Sequence, residues 1–167
     1  MWVLLAVYVK QNFGVAESSY SWIPTTNALM VVFLQVFITR ALKPFRDTQV
    51  MPFGALFYVA AMLIVGVSSQ FWGFWLAMVV MTFGELITAP TATAFVANLA
   101  PQDQRGRYLG LFGLTWHVAM AIGPFTAGIL TDNYGIRSPW FAGAVVGALA
   151  VAAYALLDRR MSRSHSD

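Results

Sequence analysis

Five stretches of this chain are long and apolar enough to cross a lipid bilayer, and the loops between them differ in charge from one side to the other. The stretches are residues 20–39, 50–68, 71–100, 108–130 and 139–157. Each meets or approaches the ~20 residues that are needed to cross ~30 Å of hydrocarbon as a helix. The pattern therefore predicts an all-α membrane protein that is built as one bundle over residues 1–157.

The basic residues in the loops indicate the orientation of this bundle. Only Lys10 and Arg137 fall on one side, whereas the other eight fall on the opposite side: Arg40, Lys43, Arg46, Arg105, Arg107, Arg159, Arg160 and Arg163. The positive-inside rule makes the side with eight basic residues cytoplasmic. We therefore expect a multi-pass protein of the cell membrane with a cytoplasmic C-terminus and with lipids as its surroundings.

Composition excludes several other classes of protein. Hydrophobic residues make up 59% of the chain and charged residues only 10%, whereas about a quarter of a soluble domain is charged. The net charge of +3 is spread over loops without a basic face that carries stacking aromatics, so no nucleic-acid partner is expected. The absence of cysteine excludes disulfides, thiolate metal sites and a cysteine nucleophile. The spans also hold no Ser/His/Asp set, metal-ligand cluster or paired acid, so we predict no enzyme activity, metal or cofactor.

The two ends of the chain need separate interpretations. Residues 1–9 are apolar but rise only ~14 Å as a helix, less than half of a hydrocarbon core, and the polar segment after them is predicted to be a loop. We favour the outer end of a helix whose first half is missing, and a short interfacial segment is the alternative. Residues 158–167 are polar and predict a frayed cytoplasmic tail.

The five spans divide into an apolar and a polar group. Residues 50–68 and 139–157 carry no acidic or basic side chain. The second of these spans holds Gly143 and Gly147 at GxxxG spacing, which lets two helix backbones approach closely. A dimerisation face and packing within the chain both explain this spacing, and packing within the chain is the favoured explanation.

Two ionisable residues lie deep within the polar spans. Glu85 falls near the middle of residues 71–100, where a carboxylate costs from ~3 kcal/mol upward and so marks a pathway or a protonated acid that is bonded to a neighbouring helix. His117 lies at a similar depth in the next span. We predict that Glu85 carries a proton and that His117 is a second titrating group or a hydrogen-bond partner.

Other polar and aromatic residues of these spans are candidates for a substrate cavity. Trp22, Asn27 and Gln35 lie in residues 20–39, and Trp116 lies beside His117. A greasy pocket with a few polar groups would suit a lipophilic ligand. For Asn27 and Gln35 the alternative is a hydrogen bond between helices.

The segment RGRYLGLFGLTWHVAMAIGPFTAGIL resembles the glycine-proline helix of the major facilitator superfamily, whose pattern is G-x8-G-x3-G-P-x2-G-G. Alanine replaces two glycines, and the matching positions are Gly110, Ala119, Gly123, Pro124, Ala127 and Gly128. In that family the pattern marks the fifth helix of proton-driven antiporters, and a looser copy recurs in the eleventh. The resemblance therefore implies a helix-packing motif in the eleventh helix.

The segment ITRALKPFRDTQVMPFG resembles the weaker second copy of the family's basic loop, G-x-x-x-D-R-x-G-R-R. Thr39 stands where the first glycine would be and Lys43 stands where the aspartate would be. Together the two motifs imply helices seven to twelve, the C-terminal half of a twelve-helix fold, with five full helices and a truncated first one. A missing N-terminal six-helix half is then the expected partner. The resemblance is strongest to bacterial multidrug-efflux members, which implies the bacterial inner membrane.

The resemblance implies secondary active transport with the site between two six-helix halves. We predict proton-coupled export of a lipophilic small molecule, with the substrate and protons as partners. No Arg or Lys lies within the spans, and this absence favours a neutral or cationic cargo. A proton symporter for a small solute is one alternative. A half-transporter that does not transport alone and acts as an assembly partner is another.

Overall fold

The computed structural model describes residues 2–163, and every regular element in that range is helical. The α-helices are α1 (Trp2–Phe13), α2 (Glu17–Tyr20), α3 (Trp22–Leu42), α4 (Asp47–Val67), α5 (Phe71–Leu99), α6 (Arg105–Tyr134) and α7 (Ser138–Arg163), with a 3₁₀ turn at Gln102–Gln104 before α6. Within these residues, five helical segments are long and apolar enough to span a membrane. The prediction of an all-α protein with five spans is confirmed.

Helix α1 is longer and better packed than the sequence predicts. It continues from the apolar start through Lys10 to Phe13, so the prediction of a loop from Lys10 onward is wrong. Leu5 and Val9 are fully buried against the neighbouring helices. One face of α1 therefore packs against the bundle, as expected for part of a bundle helix. Gly14 ends the helix with φ +60°, a backbone angle that glycine adopts without steric cost.

Helix α7 also continues into a segment that was predicted to fray. It remains helical through Arg163, and two side-chain hydrogen bonds hold this extension against the start of α4. Thr48 Oγ1 donates to Asp158 Oδ1 at 2.5 Å, and Arg46 Nη1 donates to Ser162 Oγ at 2.9 Å. The prediction of a frayed tail is therefore wrong for residues 158–163, and residues 164–167 lie outside the described residues.

Helix α4 lies at the centre of the bundle. It packs along α5 on one side and along α7 on another, while α3 packs on α5. Helix α6 makes only light contact with α5 and α7, and the middle of α6 is not buried by the rest of the described chain. The bundle thus has a packed core of α3, α4, α5 and α7 and an exposed helix at α6.

Small residues allow the close contacts around α4. A Cβ on Gly84 of α5 would lie 3.0 Å from the carbonyl oxygen of Gly54. A Cβ on Gly147 of α7 would lie 2.9 Å from Val59 Cγ2, and the neighbouring Gly143 also faces α4. The GxxxG spacing of α7 therefore serves packing within the chain, as favoured from the sequence, because side chains here would separate the helices.

An aromatic cluster closes the end of the bundle where α4 turns into α5. The ring of Tyr8 lies 5.2 Å, between centroids, from the rings of Phe13 and Trp140, and 6.0 Å from that of Phe74. These side chains join α1, α5 and α7 at one level. Edge-on aromatic pairs at such distances add to the burial of their apolar surface. Helix α1 is thereby anchored to the core.

Candidate functional site

A polar cluster of Asn27, Thr82 and Glu85 joins α3 to α5 inside the bundle. Glu85 lies midway along α5, and its Oε2 accepts a hydrogen bond of 2.9 Å from Asn27 Nδ2 on α3. The same nitrogen donates to Thr82 Oγ1 at 2.9 Å. Asn27 is 8% exposed and Thr82 is fully buried. The carboxyl group is therefore held at a helix-helix contact.

The hydroxyl group of Thr82 determines which way the amide of Asn27 points. Thr82 Oγ1 donates its proton to the carbonyl oxygen of Met78, one turn earlier in α5, at 2.8 Å. With that proton in use, Thr82 can only accept a further hydrogen bond. The NH₂ group of Asn27 must then face α5, and it presents a donor to Glu85.

Tyr58 of α4 approaches this cluster from the other side of α5. Its ring lies beside Gly84, the residue before Glu85, because a Cβ on that glycine would be 3.2 Å from Tyr58 Cδ2. Sequence reasoning missed Tyr58, because its span carries no acidic or basic residue and was placed in the apolar group. The available signal was Gly54, which lies four residues earlier on the same face of α4 and marks the side that meets α5.

Gln35 binds α3 to a break in the hydrogen bonding of α5. Pro90 lacks an N–H group, which leaves the carbonyl of Leu86, four residues earlier, without its helical donor. Gln35 Nε2 donates to this carbonyl oxygen at 3.3 Å and to Thr39 Oγ1 at 3.0 Å. Gln35 is thus an interhelical hydrogen-bond partner, the alternative kept open by the sequence.

The remaining candidate residues lie away from this cluster. Trp22 is 63% exposed at the start of α3, and Trp116 is 53% exposed on α6. His117 is also exposed, and its Nδ1 makes a 2.9 Å hydrogen bond with the carbonyl oxygen of Gly113 in its own helix. The structure therefore does not bring His117 together with Glu85, because the described hydrogen bond of His117 lies within α6.

The glycine-proline motif of α6 packs against other helices of the described chain at one end only. A Cβ on Gly110, Gly123 or Gly128 would have no neighbour within 4 Å. Ala119 and Gly123 line a shallow apolar groove of about 530 Å³ on the exposed side of α6. Ala127, in contrast, is buried, and Pro124 and Gly128 lie at a second cavity, of about 210 Å³, between α6, α1 and α7. Within residues 2–163 the predicted close helix contact is thus absent around Gly110 and Gly123.

A comparison with protein families identifies the kind of protein. The model described as Major Facilitator Superfamily matches residues 1–167, which is the whole chain. The chain belongs to the major facilitator superfamily. It is therefore a multi-pass membrane protein of a family of transporters, as the helix and loop motifs implied.

Several curated members of the major facilitator superfamily are similar to this chain. YttB from Bacillus subtilis, an uncharacterised transporter, is 27% identical over 96% of this chain and 41% of its own length. A Na(+), Li(+), K(+)/H(+) antiporter from Planococcus maritimus is 34% identical over 66% of this chain and 26% of its own length. The puromycin resistance protein pur8 from Streptomyces alboniger is 26% identical over 93% of this chain and 32% of its own length. The chain thus spans less than half the length of each of these relatives.

Proposed function

We propose that this chain is the C-terminal six-helix half of a transporter that exports small lipophilic molecules, neutral or cationic, in exchange for protons. Family membership supports transport, and the resistance protein and the proton antiporter among the relatives favour efflux coupled to protons. Eight of the ten basic residues lie in loops on one side, which supports a cytoplasmic C-terminus in the bacterial inner membrane.

One observation carries the role of Glu85 as the proton site. The carboxyl group lies midway along a spanning helix, and its hydrogen-bond donor, Asn27, comes from a different helix. Among residues 2–163 an ion pair joins Lys10 to Glu17, and none involves Glu85. No basic side chain therefore neutralises Glu85 there. An acidic side chain at this depth without a paired cation is a default candidate for a proton relay. Loading and unloading of that proton would couple transport to the proton gradient.

The exposed faces of α3 and α6 are the proposed walls of the substrate cavity. Trp22, Trp116 and His117 lie on these faces, and the α6 groove beside Ala119 and Gly123 has an apolar lining. We assign these faces to the cavity between this half and an N-terminal six-helix half. His117 is then a second titrating group of the cavity that acts apart from Glu85. Binding sites between two six-helix halves are typical of this kind of transporter.

Glu85→Gln in the full transporter tests the proton site. The amide keeps the shape of the side chain and a hydrogen-bond acceptor for Asn27 but does not ionise. We expect loss of ethidium or puromycin export driven by a proton gradient in liposomes, with normal folding. Asp103→Asn, in the exposed 3₁₀ turn, is the matched control and should transport normally. Wild-type export by Glu85→Gln with an unchanged pH profile would contradict the proposal, and proton movement in the same direction as the cargo would indicate symport.

Export of a monovalent cation is a second candidate, favoured by the antiporter from Planococcus maritimus. Thr82 and Glu85 bring a hydroxyl oxygen and a carboxylate oxygen to the same amide nitrogen of Asn27, and oxygens of these kinds are hard ligands suited to such a cation. Addition of Na⁺, Li⁺ or K⁺ to liposomes that hold an imposed proton gradient separates the two candidates. Dissipation of the gradient by these cations, in the absence of any organic cargo, would favour cation export.

A further inference from the structure

We propose that Asn27 is a positioning residue that makes the packing of α3 on α5 depend on whether Glu85 carries a proton. This inference rests on the proposed role of Glu85 as the proton site. The inference adds that Asn27 responds to the charge of Glu85 and that α3 is the helix that moves.

In this geometry Asn27 presents an N–H donor to Glu85, and such a donor binds the ionised carboxylate more strongly than the protonated acid. Its two N–H groups are both directed at α5, one to Thr82 and one to Glu85 Oε2, each over 2.9 Å. Thr82 accepts because its own proton is bonded to Met78. The amide therefore cannot turn its oxygen toward Glu85 without breaking the bond to Thr82. An ionised carboxylate accepts from this N–H in a charge-assisted bond, about twice as strong as a neutral one.

Protonation changes the match between the two side chains. A proton taken up from water onto Oε2 would place an O–H donor against the N–H donor of Asn27, and uptake on Oε1 would leave only a neutral acceptor. In both cases the bond across the α3–α5 contact weakens. Asn27 is buried, so water cannot replace the lost bond at low cost. The contact then relaxes at this level.

The other groups around Glu85 do not take over this role. The ring of Tyr58 on α4 lies beside Gly84, the residue before Glu85, but within the described residues no hydrogen bond joins Tyr58 to Glu85 or Asn27. His117 on α6 is bonded to its own helix. Glu85 is thus the titrating group of this contact, with Asn27 as its partner on α3.

Two further bonds between α3 and α5 contain no titrating group. Trp75 Nε1 donates to Thr26 Oγ1 at 2.9 Å, and Gln35 donates to the carbonyl of Leu86. These bonds hold in both charge states, so they limit the response to a small shift of α3 and prevent its detachment from α5. Helix shifts at such contacts are about 1–2 Å.

Nitroxide distances measured in the full transporter test this inference without any cargo. This chain contains no cysteine, so Leu29→Cys on α3 and Leu76→Cys on α5, both exposed, can be labelled once cysteines elsewhere have been replaced. We expect the distance in lipid nanodiscs to change by about 1–2 Å between acidic and basic buffer. Asn27→Leu and Glu85→Gln should both abolish the change, whereas Asp103→Asn, in the exposed 3₁₀ turn, should keep it. Asn27→Ala is the second variant if Asn27→Leu does not fold.

The outcomes separate this inference from the proposed function. A distance that does not respond to pH in the parent, or a response that survives in Asn27→Leu or Asn27→Ala, overturns the role of Asn27. If Glu85→Gln nevertheless abolishes proton-driven export, Glu85 remains the proposed proton site, and only the role of Asn27 is rejected. A pH response that persists in Glu85→Gln overturns the inference as well, because another group would then control the contact.

Discussion

Gln35 donates a hydrogen bond from α3 to the carbonyl oxygen of Leu86, the one carbonyl of α5 that Pro90 deprives of its helical donor. A proline break within a membrane helix leaves a polar group in hydrocarbon unless a neighbour supplies a partner. Here the partner comes from the adjacent span. The kink of α5 and the position of α3 are therefore coupled.

This coupling predicts a specific result in a double-mutant cycle. Gln35→Leu should destabilise the protein by about 1–3 kcal/mol, because it leaves the carbonyl of Leu86 unsatisfied. In a Pro90→Ala background the new N–H group can bond that carbonyl, so the same change should cost clearly less. Thermal unfolding in detergent of the parent, both single variants and the double variant measures the difference. If Gln35→Leu destabilises the protein equally with and without Pro90, then Gln35 does not compensate for the hydrogen bond that Pro90 removes.

A pair of glycine substitutions tests which small residues pack within the chain. Gly147→Leu should destabilise by about 1–3 kcal/mol through overpacking, because a Cβ there would lie 2.9 Å from Val59. Gly123→Leu should be tolerated in residues 1–167 alone, since nothing lies within 4 Å of that position. Thermal stability of the two variants in detergent is the measurement. Destabilisation of the full transporter by Gly123→Leu, without an effect on this chain, would support the proposal that an N-terminal six-helix half covers the α6 groove.

The orientation can be tested by cysteine labelling in a chain that has no native cysteine. Gly14 and Gly135 have positive φ, where a cysteine would be strained, so Ala16 and Tyr134 are better sites on the expected outer side. Lys43 and Gln104 are exposed sites on the expected cytoplasmic side. An impermeant maleimide added to intact cells should label only the first pair. Labelling of the second pair with protection of the first would invert the topology.

Residues 1–167 alone should not catalyse transport. Alternating access needs two halves that move about a shared site, and α6 exposes an apolar groove beside Ala119 and Gly123 that would meet the other half. Liposomes that contain only this chain should show no proton flux in response to ethidium or puromycin, while the full transporter serves as the positive control. Robust flux from this chain would contradict the proposal unless crosslinking shows that two copies assemble as two halves.

The sequence predicted the spans well, because helices that cross a lipid bilayer must be apolar and hydropathy measures this property directly. It misplaced the helix ends at Lys10 and Asp158, since polar residues can continue a helix beyond the lipid when a partner such as Thr48 holds them. Depth along a helix was also predictable, and Glu85 does lie midway along α5. The rotation of each helix was not predictable. That rotation pairs Glu85 with Asn27 and directs His117 away from it.

The contact of α7 with α4 has a consequence for how the chain assembles. Gly143 and Gly147 pack against a helix that leaves the ribosome well before α7, with α5 and α6 inserted in between. Until synthesis reaches α7, the matching surface of α4 around Val59 has only lipid or the insertion machinery to cover it. Release of a chain that ends after α6 would therefore leave its central helix half-covered, and such a product would be an immediate substrate for membrane quality control.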